Sequence, residues 1–471
     1  MTGMATGMAR IVQALGPEAQ LVVVGGALRD RLLGRPMGDW DLATALLPEQ
    51  VMARAAAAGL RVIPTGLRHG TVTLLEAGQP FEITTFRGDG DYLDGRRPDS
   101  VTLGVPLEQD LARRDFTINA MALPVAALDA EDWPAALVDP FGGRRDLATR
   151  IIRAVGDPLT RFGEDGLRCL RACRFSAQLG FAIEPDTFAA IPRCLAVAGK
   201  VAVERVFTEL TKLLCAPDPA LGLDALAITG LLDLWLPELR PMLGCAQNHH
   251  HRFAVWEHVE AVTRSAPPEP ELRWAALLHD SGKPAARTVD AKGATHFHGH
   301  EAISEHLAQA LLVRLRASHA LAHRVAALVR HHGTHPGPSW SDAACRRFLK
   351  RLLEDDLPLE RWAQFRLADQ AGKGFGLDPF LLTHQALLMR LEALTAAHPP
   401  LAIQALALDG RALMALAGRR GGPWLGQLQQ ALLEAALEDP ACNQPEPLGQ
   451  LALDWLARMA AAGATERRKD S

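Results

Sequence analysis

Short β-branched runs stopped by glycine occur in the first third of this chain and almost nowhere else. From about Asp139 onward, Ala- and Leu-rich segments with a 3.6-residue period run to the end, broken by proline and glycine clusters near 217–219, 237–244, 267–270 and 336–338. That switch of period predicts a mixed α/β head on a long all-α body. An aromatic content of 5%, with a single tyrosine, suits Leu/Ala-packed helices better than β-sandwiches. At 471 residues the chain exceeds the ~150 residues expected per domain, so a multidomain protein follows. The boundaries are read at 1–140 for the head, 141–240 for a helical neck and body, 241–380 for a second helical domain and 381–471 for a helical tail.

Apolar residues at 48% and charged residues at 22% exclude wholesale disorder. No stretch approaches the ~18 uncharged apolar residues of a membrane span, and the first residues lack the order of a secretion signal. The seven cysteines include no CxxC pair, and Cys169, Cys173 and Cys215 sit in apolar helical patterns; a reduced, cytoplasmic protein is expected. A net charge of −4 excludes a generally basic nucleic-acid binder. Charge is segregated, however: eight Arg against four Asp/Glu between Arg144 and Arg174 form a patch able to hold phosphates.

In the head, LVVVGG (21–26) reads as a strand and tight turn, and ALRDRLLG (27–34) as a helix stopped by Gly34. DWDLAT, GTVTLLEA and FEITTFR are further strand candidates, and GDGDYLDGRRPDS (88–100) a mobile loop. Two glycines ahead of a helix let the backbone approach a phosphate, and Arg29 one turn later adds a fork of donors. Asp39 and Asp41, two apart, project from one face if the segment is a strand. Adjacent carboxylates repel unless a cation such as Mg²⁺ lies between them. An isolated DxD is more simply a solvated loop; the glycine turn upstream favours the metal reading.

GGxxRDxxLG followed by DxD, then RRDFTINAMA (113–122), DPFGGRRDL (139–147) and RFGEDGLRCLRACRF (161–175), resembles in order the head of the class II tRNA nucleotidyltransferase and bacterial poly(A) polymerase superfamily. The resemblance implies that Asp39 and Asp41 are catalytic and hold two Mg²⁺ ions, that Gly26, Arg29 and Arg114 contact the triphosphate, and that Asp115 and Asn119 recognise the ribose. It implies addition of C, C and A to tRNA from CTP and ATP. Asp165, Arg168, Arg171 and Arg174 recur every three residues, neighbours on one helix surface, while Leu167, Leu170 and Cys173 pack that helix down. The plain reading is a solvated charged face. The functional one is a template: cytosine and adenine both pair an amino donor with a ring-nitrogen acceptor, which an Asp and an Arg can complement. In the family this element selects the base, so Asp165 and Arg168 inherit that role, with Arg171 and Arg174 as further nucleotide contacts. Many relatives have proline where this chain has Gly166.

The histidine run at 249–251 reads as surface. His258 in WEHV, His279-Asp280 in LLHDSGKP, His300 in FHGHE, His332 in LVRHH and Asp369 in RLADQAGKG sit in or beside apolar helical patterns, a donor set suited to a divalent metal. The order H…HD…D is similar to the HD phosphohydrolase superfamily. That resemblance implies His258, His279, Asp280 and Asp369 as ligands of a divalent ion of unspecified identity, Lys283 near a substrate phosphate, and phosphatase or 2′,3′-cyclic phosphodiesterase chemistry. Poly(A) polymerase, a partial enzyme adding only CC or only A, and a metal-dependent phosphohydrolase with a nucleotide-binding head are the alternatives. Oligomeric state is not read from the sequence.

Overall fold

The computed structural model describes residues 2–36, 40–89, 101–247, 252–334, 336–337 and 339–467. Asp39, most of the expected loop (90–100) and the histidine run 249–251 lie outside the described residues. The chain divides into two compact units, Met1–Arg240 and Pro241–Ser471.

The first unit opens with α1 (Thr2–Leu15), β1 (Val22–Val24), α2 (Gly25–Leu32), β2 (Asp41–Thr44), α3 (Pro48–Ala57), β3 (Arg61–Gly66), β4 (Thr71–Glu76) and β5 (Gln79–Thr85). The ribbon β6 (Arg87–Asp89) and β7 (Val101–Leu103), then α4 (Leu107–Ala112) and β8 (Ala122–Pro124), complete the head. Its sheet runs β3-β4-β5-β2-β1-β8, with β2 parallel to β5 and the other neighbours antiparallel. Val22, Val23 and Val24 are all buried, which explains an apolar run without alternation. The register Val22↔Ala43, Val23↔Leu42 brings Asp41, the first residue of β2, to the end of β1 where the glycines begin.

Beyond the head come α5 (Gly143–Ala148), β9 (Ile151–Ile152), α6 (Pro158–Glu164), α7 (Leu167–Leu179), β10 (Ala182–Ile183), α8 (Pro185–Ala190), α9 (Leu195–Ala198), α10 (Val203–Leu214), α11 (Pro219–Thr229) and α12 (Leu231–Trp235). α7 packs on α10 and α11. The expectation of a helical neck misses one detail: β9 and β10 form a short parallel ladder, Ile151↔Ala182 and Ile152↔Ile183.

The second unit holds α13 (Val255–Ser265), α14 (Pro270–Leu278), α15 (Lys283–Ala286), the small hairpin β11 (Thr288–Val289) and β12 (Thr295–His296), α16 (His300–Arg314), α17 (His319–His331), α18 (Asp342–Glu354) and α19 (Leu359–Gly372). α13 packs on α14 and α19, and α14 on α16 and α17, so the histidine-bearing ends meet inside one bundle. The tail is α20 (Asp378–Ala396), α21 (Gly410–Ala417), α22 (Pro423–Glu438) and α23 (Pro445–Arg467). It has its own leucine core around Leu413, Leu428, Leu432 and Leu448. Arg346 of α18 donates to the carbonyls of Leu437 (2.6 Å) and Glu438 (2.7 Å), closing the end of α22.

Candidate active sites

The glycine turn at the end of β1 is built for close approach. Gly25 has φ of 70°, and a Cβ there would lie 3.1 Å from Asp41 Oδ2 and 3.3 Å from Arg114 Nη1. The geometry therefore gathers an exposed carboxylate, a guanidinium and the first backbone amides of α2 at one point. Arg114 is steadied by Asp110, a buried carboxylate that also holds Arg113. Burial pushes the Asp110 carboxyl up, but Arg114 and Arg113 outweigh it and leave it below its ordinary value. Carboxylate oxygens are hard donors suited to Mg²⁺; Asp41 fits that ion, while its partner Asp39 is not described.

From this turn a chain of polar contacts crosses the head. Arg29 is buried and donates to Asn119 Oδ1 at 2.9 Å; Gly26 lies beside its guanidinium. Asn119 Nδ2 donates to Asp115 Oδ1 at 3.1 Å, and Arg171 Nε donates to Asp115 Oδ2 at 2.8 Å. Burial raises the Asp115 carboxyl, yet Arg171 and Asn119 overcome it and hold the group at about 2. Arg174 Nε pairs in turn with Glu209 of α10.

The surface reading of the arginine helix needs correction. α7 begins at Leu167, so Asp165 precedes it in extended backbone and accepts from the Leu167 amide at 3.0 Å. Arg168 and Arg174 are buried. The Arg168 amide donates to the Asp165 carbonyl at 3.0 Å, but the two side chains have separate partners: Asp165 pairs with Arg205 of α10 at 2.8 Å, whereas Arg168 pairs with Glu164 and donates to the carbonyls of Arg161 (2.8 Å) and Arg113 (2.9 Å). Arg205, Glu209 and Glu164 are partners the sequence reading did not identify. Gly166 is explained by contact, because a Cβ there would fall 2.5 Å from the Ala198 amide nitrogen at the end of α9.

In the second unit, His258, His279 and Asp369 converge as one possible ligand group, and Asp280, His300 and His332 as another. Asp280 joins them, with Oδ2 3.2 Å from His279 Nε2 and Oδ1 3.4 Å from His300 Nε2. His300 and His332 thus extend the four ligands expected from sequence. In all four rings Nδ1 faces a backbone carbonyl: Gly372 for His258 (3.0 Å), Ala276 for His279 (2.9 Å), Phe297 for His300 (2.8 Å) and Val329 for His332 (2.6 Å). A carbonyl only accepts, so Nδ1 carries a proton, and in the neutral ring Nε2 presents its lone pair. The Nε2 atoms then oppose each other at 3.2 Å (His258, His279) and 3.1 Å (His300, His332), a conflict that a cation between them removes. The donor chemistry fits a divalent ion.

Burial holds the His279 imidazole below its usual range. Burial pushes Asp280 and Asp369 up, but His279 and Lys283 around the first, and His258 and Lys373 around the second, keep both carboxyls well below theirs. Lys283 Nζ lies 2.7 Å from Asp280 Oδ2 and donates to Gln247 at 2.6 Å. A cavity of about 750 Å³ opens on this cluster, lined by Lys283, Phe297, His298, Glu301 and Lys373 among others.

A glycine turn facing an acidic strand end, in one chain with a histidine-lined helical bundle, defines a nucleotidyltransferase-type head with an HD bundle. Residues 21–153 match the Poly A polymerase head domain, 180–243 the probable RNA and SrmB-binding site of polymerase A, and 249–363 the HD domain. The chain is 38% identical over 429 residues to the A-adding tRNA nucleotidyltransferase of Deinococcus radiodurans, covering 88% of this chain and 90% of that one. It is 44% identical over 267 residues to the CCA-adding enzyme of Geobacillus stearothermophilus, a match spanning 56% of this chain and only 60% of that relative. The crystal structure of the Bacillus stearothermophilus CCA-adding enzyme in complex with CTP superposes with a TM-score of 0.71 at 29% identity, covering 98% of both chains. The chain belongs to the class II tRNA nucleotidyltransferase/poly(A) polymerase family and carries an HD domain.

Proposed function

We propose that this protein adds C, C and A to the 3′ end of tRNA from CTP and ATP, releasing pyrophosphate without a nucleic-acid template. The observation that carries the reading is the meeting of Asp41, Arg114 and the Gly25 turn at the start of α2. Mg²⁺ ions held by Asp39 and Asp41, when bound, supply the positive charge that in-line displacement at a phosphate needs. The chain's own groups do the positioning: Gly26, Arg29 and Arg114 take the triphosphate, Asp115 and Asn119 the ribose, and Asp165 with Arg168 the base edge. Base recognition on this reading requires Asp165 to exchange Arg205 for the amino group of the base. Arg171 and Arg174 serve as further nucleotide contacts and, through their ion pairs, fix Asp115 and Glu209.

The bundle is proposed as a phosphohydrolase acting on phosphate monoesters and 2′,3′-cyclic phosphodiesters. His258, His279, Asp280 and Asp369 hold a divalent ion, which supplies Lewis acidity when bound, and Lys283 neutralises the substrate phosphate. The four-part division at 140, 240 and 380 belongs to the same proposal. So does a cytoplasmic location; no helix among the described residues is long and apolar enough to cross a membrane.

Addition of A alone is the second reading, favoured by the likeness to the A-adding Deinococcus relative over 90% of its length. One assay separates the two. Purified protein is given tRNAs lacking CCA, CA or A, with each labelled nucleotide supplied singly. Full addition predicts C on the first two substrates, A on the third, and then a stop. A on the third substrate with no C on the others supports the A-adding reading; long A tails contradict both.

A further inference from the structure

We propose that the cavity walled by Arg366, beside the HD cluster, is a subsite for a second phosphate of the substrate, so that the HD site selects phosphate esters that carry another phosphate over simple monoesters. The inference deepens, and rests on, the phosphohydrolase reading of the bundle.

Helix α19 presents Arg366, Asp369, Gln370 and Lys373 at spacings of three, four and seven residues, one stripe along its surface. Asp369, Gln370 and Lys373 line the 750 Å³ cavity over the metal-ligand groups and also a second cavity of about 220 Å³, which Arg366 and Phe380 complete. The two spaces therefore share a wall, and that wall contains a proposed metal ligand.

Arg366 is held in place without being neutralised. Its Nη1 donates to His384 Nδ1 at 2.8 Å, and its guanidinium carbon lies 4.6 Å from the Phe380 ring centre and 5.6 Å from that of Trp362. Since arginine only donates, His384 accepts as a neutral ring. Neither Nε nor Nη2 of Arg366 has a hydrogen-bond partner among the described residues, and no described carboxylate lies within ion-pair distance of it. Elsewhere in the unit Arg330, Arg347, Arg361 and Arg390 each pair with a carboxylate. Asp369, the carboxylate whose charge reaches Arg366, lies beyond ion-pair distance and is already paired with Lys373; a half-buried guanidinium so placed is stabilised by an arriving anion, and its planar fork matches two phosphate oxygens. Lys373, 3.1 Å from Asp369 Oδ2, stands between the two spaces as a second cation. A substrate with two phosphates would place one at the metal-ligand groups and the other on Arg366.

Non-nucleotide probes keep the head out of the measurement. Propane-1,3-diyl bisphosphate and propyl phosphate are titrated calorimetrically into the full chain in chelator, and both are offered as substrates with Mn²⁺. Wild type should bind and cleave the bisphosphate at least about tenfold better. Arg366→Gln, with unchanged melting, should erase that preference while leaving propyl phosphate within about twofold. Arg366→Lys, which keeps charge but not the fork, should retain part of it. Absence of the preference in wild type, or its survival in Arg366→Gln, overturns the subsite. Inorganic phosphate that raises propyl phosphate cleavage to the bisphosphate level overturns substrate selection in favour of a free anion. No cleavage with any divalent ion, while the binding preference and its dependence on Arg366 persist, sinks the phosphohydrolase reading and leaves the subsite standing.

Discussion

In the first unit, each buried or half-buried arginine of α7 meets a carboxylate: Arg168 meets Glu164, Arg171 meets Asp115 and Arg174 meets Glu209. In the HD bundle, four imidazoles point their lone pairs at one another around Asp280 and Asp369. The first unit's polar network is closed by the chain itself, so a nucleotide bound as proposed would exchange partners with it. The bundle's carboxylates are paired with Lys283 and Lys373, and its opposed imidazole nitrogens leave room in the chemistry for a divalent ion. Preorganisation at one site thus comes from paired charges, at the other from imidazole nitrogens turned toward one another by their backbone carbonyls.

The largest effect that can break this contrast lies at the glycine turn. Asp41→Ala is expected to lower nucleotide incorporation by on the order of 10²–10³-fold, read with labelled CTP, with tRNA binding in a filter assay nearly unchanged. His279→Ala is expected to weaken divalent-metal binding by more than the roughly 10–100-fold that loss of an outer-shell partner costs. Metal content after dialysis measures this, and nucleotide incorporation should not change.

A smaller effect sharpens the account of the head. Asp115 is held at about 2 against an ordinary value of 3.8. Because the folded value is the lower one, its contribution of about 2 kcal/mol is fully present above about pH 4 and is lost as pH falls through about 2. Urea unfolding across that window should show Asp115→Asn with a flatter acid limb than wild type.

What the sequence made legible was local. The strand at Val22–Val24, the strands at Thr71–Glu76 and Gln79–Thr85, and the helix stop at Gly34 (φ of 67°) follow from β-branched runs and a left-handed glycine. The triplet period of Arg168, Arg171 and Arg174 was equally readable, but its side was not. Their partners Asp115 and Glu209 lie 56 and 35 residues away from Arg171 and Arg174, on elements that only the tertiary fold brings close. The ladder joining Ile151 to Ala182 is too short to leave a period. His300 and His332 stood in recognisable segments, yet that they face each other across 32 residues is a property of how α16 packs on α17.

The most direct test is a crystal structure of the protein with CTP and Mg²⁺. The account predicts the triphosphate over Gly25 and Gly26, with Asp39 and Asp41 oxygens about 2.1 Å from an ion that also touches phosphate. A triphosphate bound elsewhere, or Asp41 turned from every ion, would contradict it.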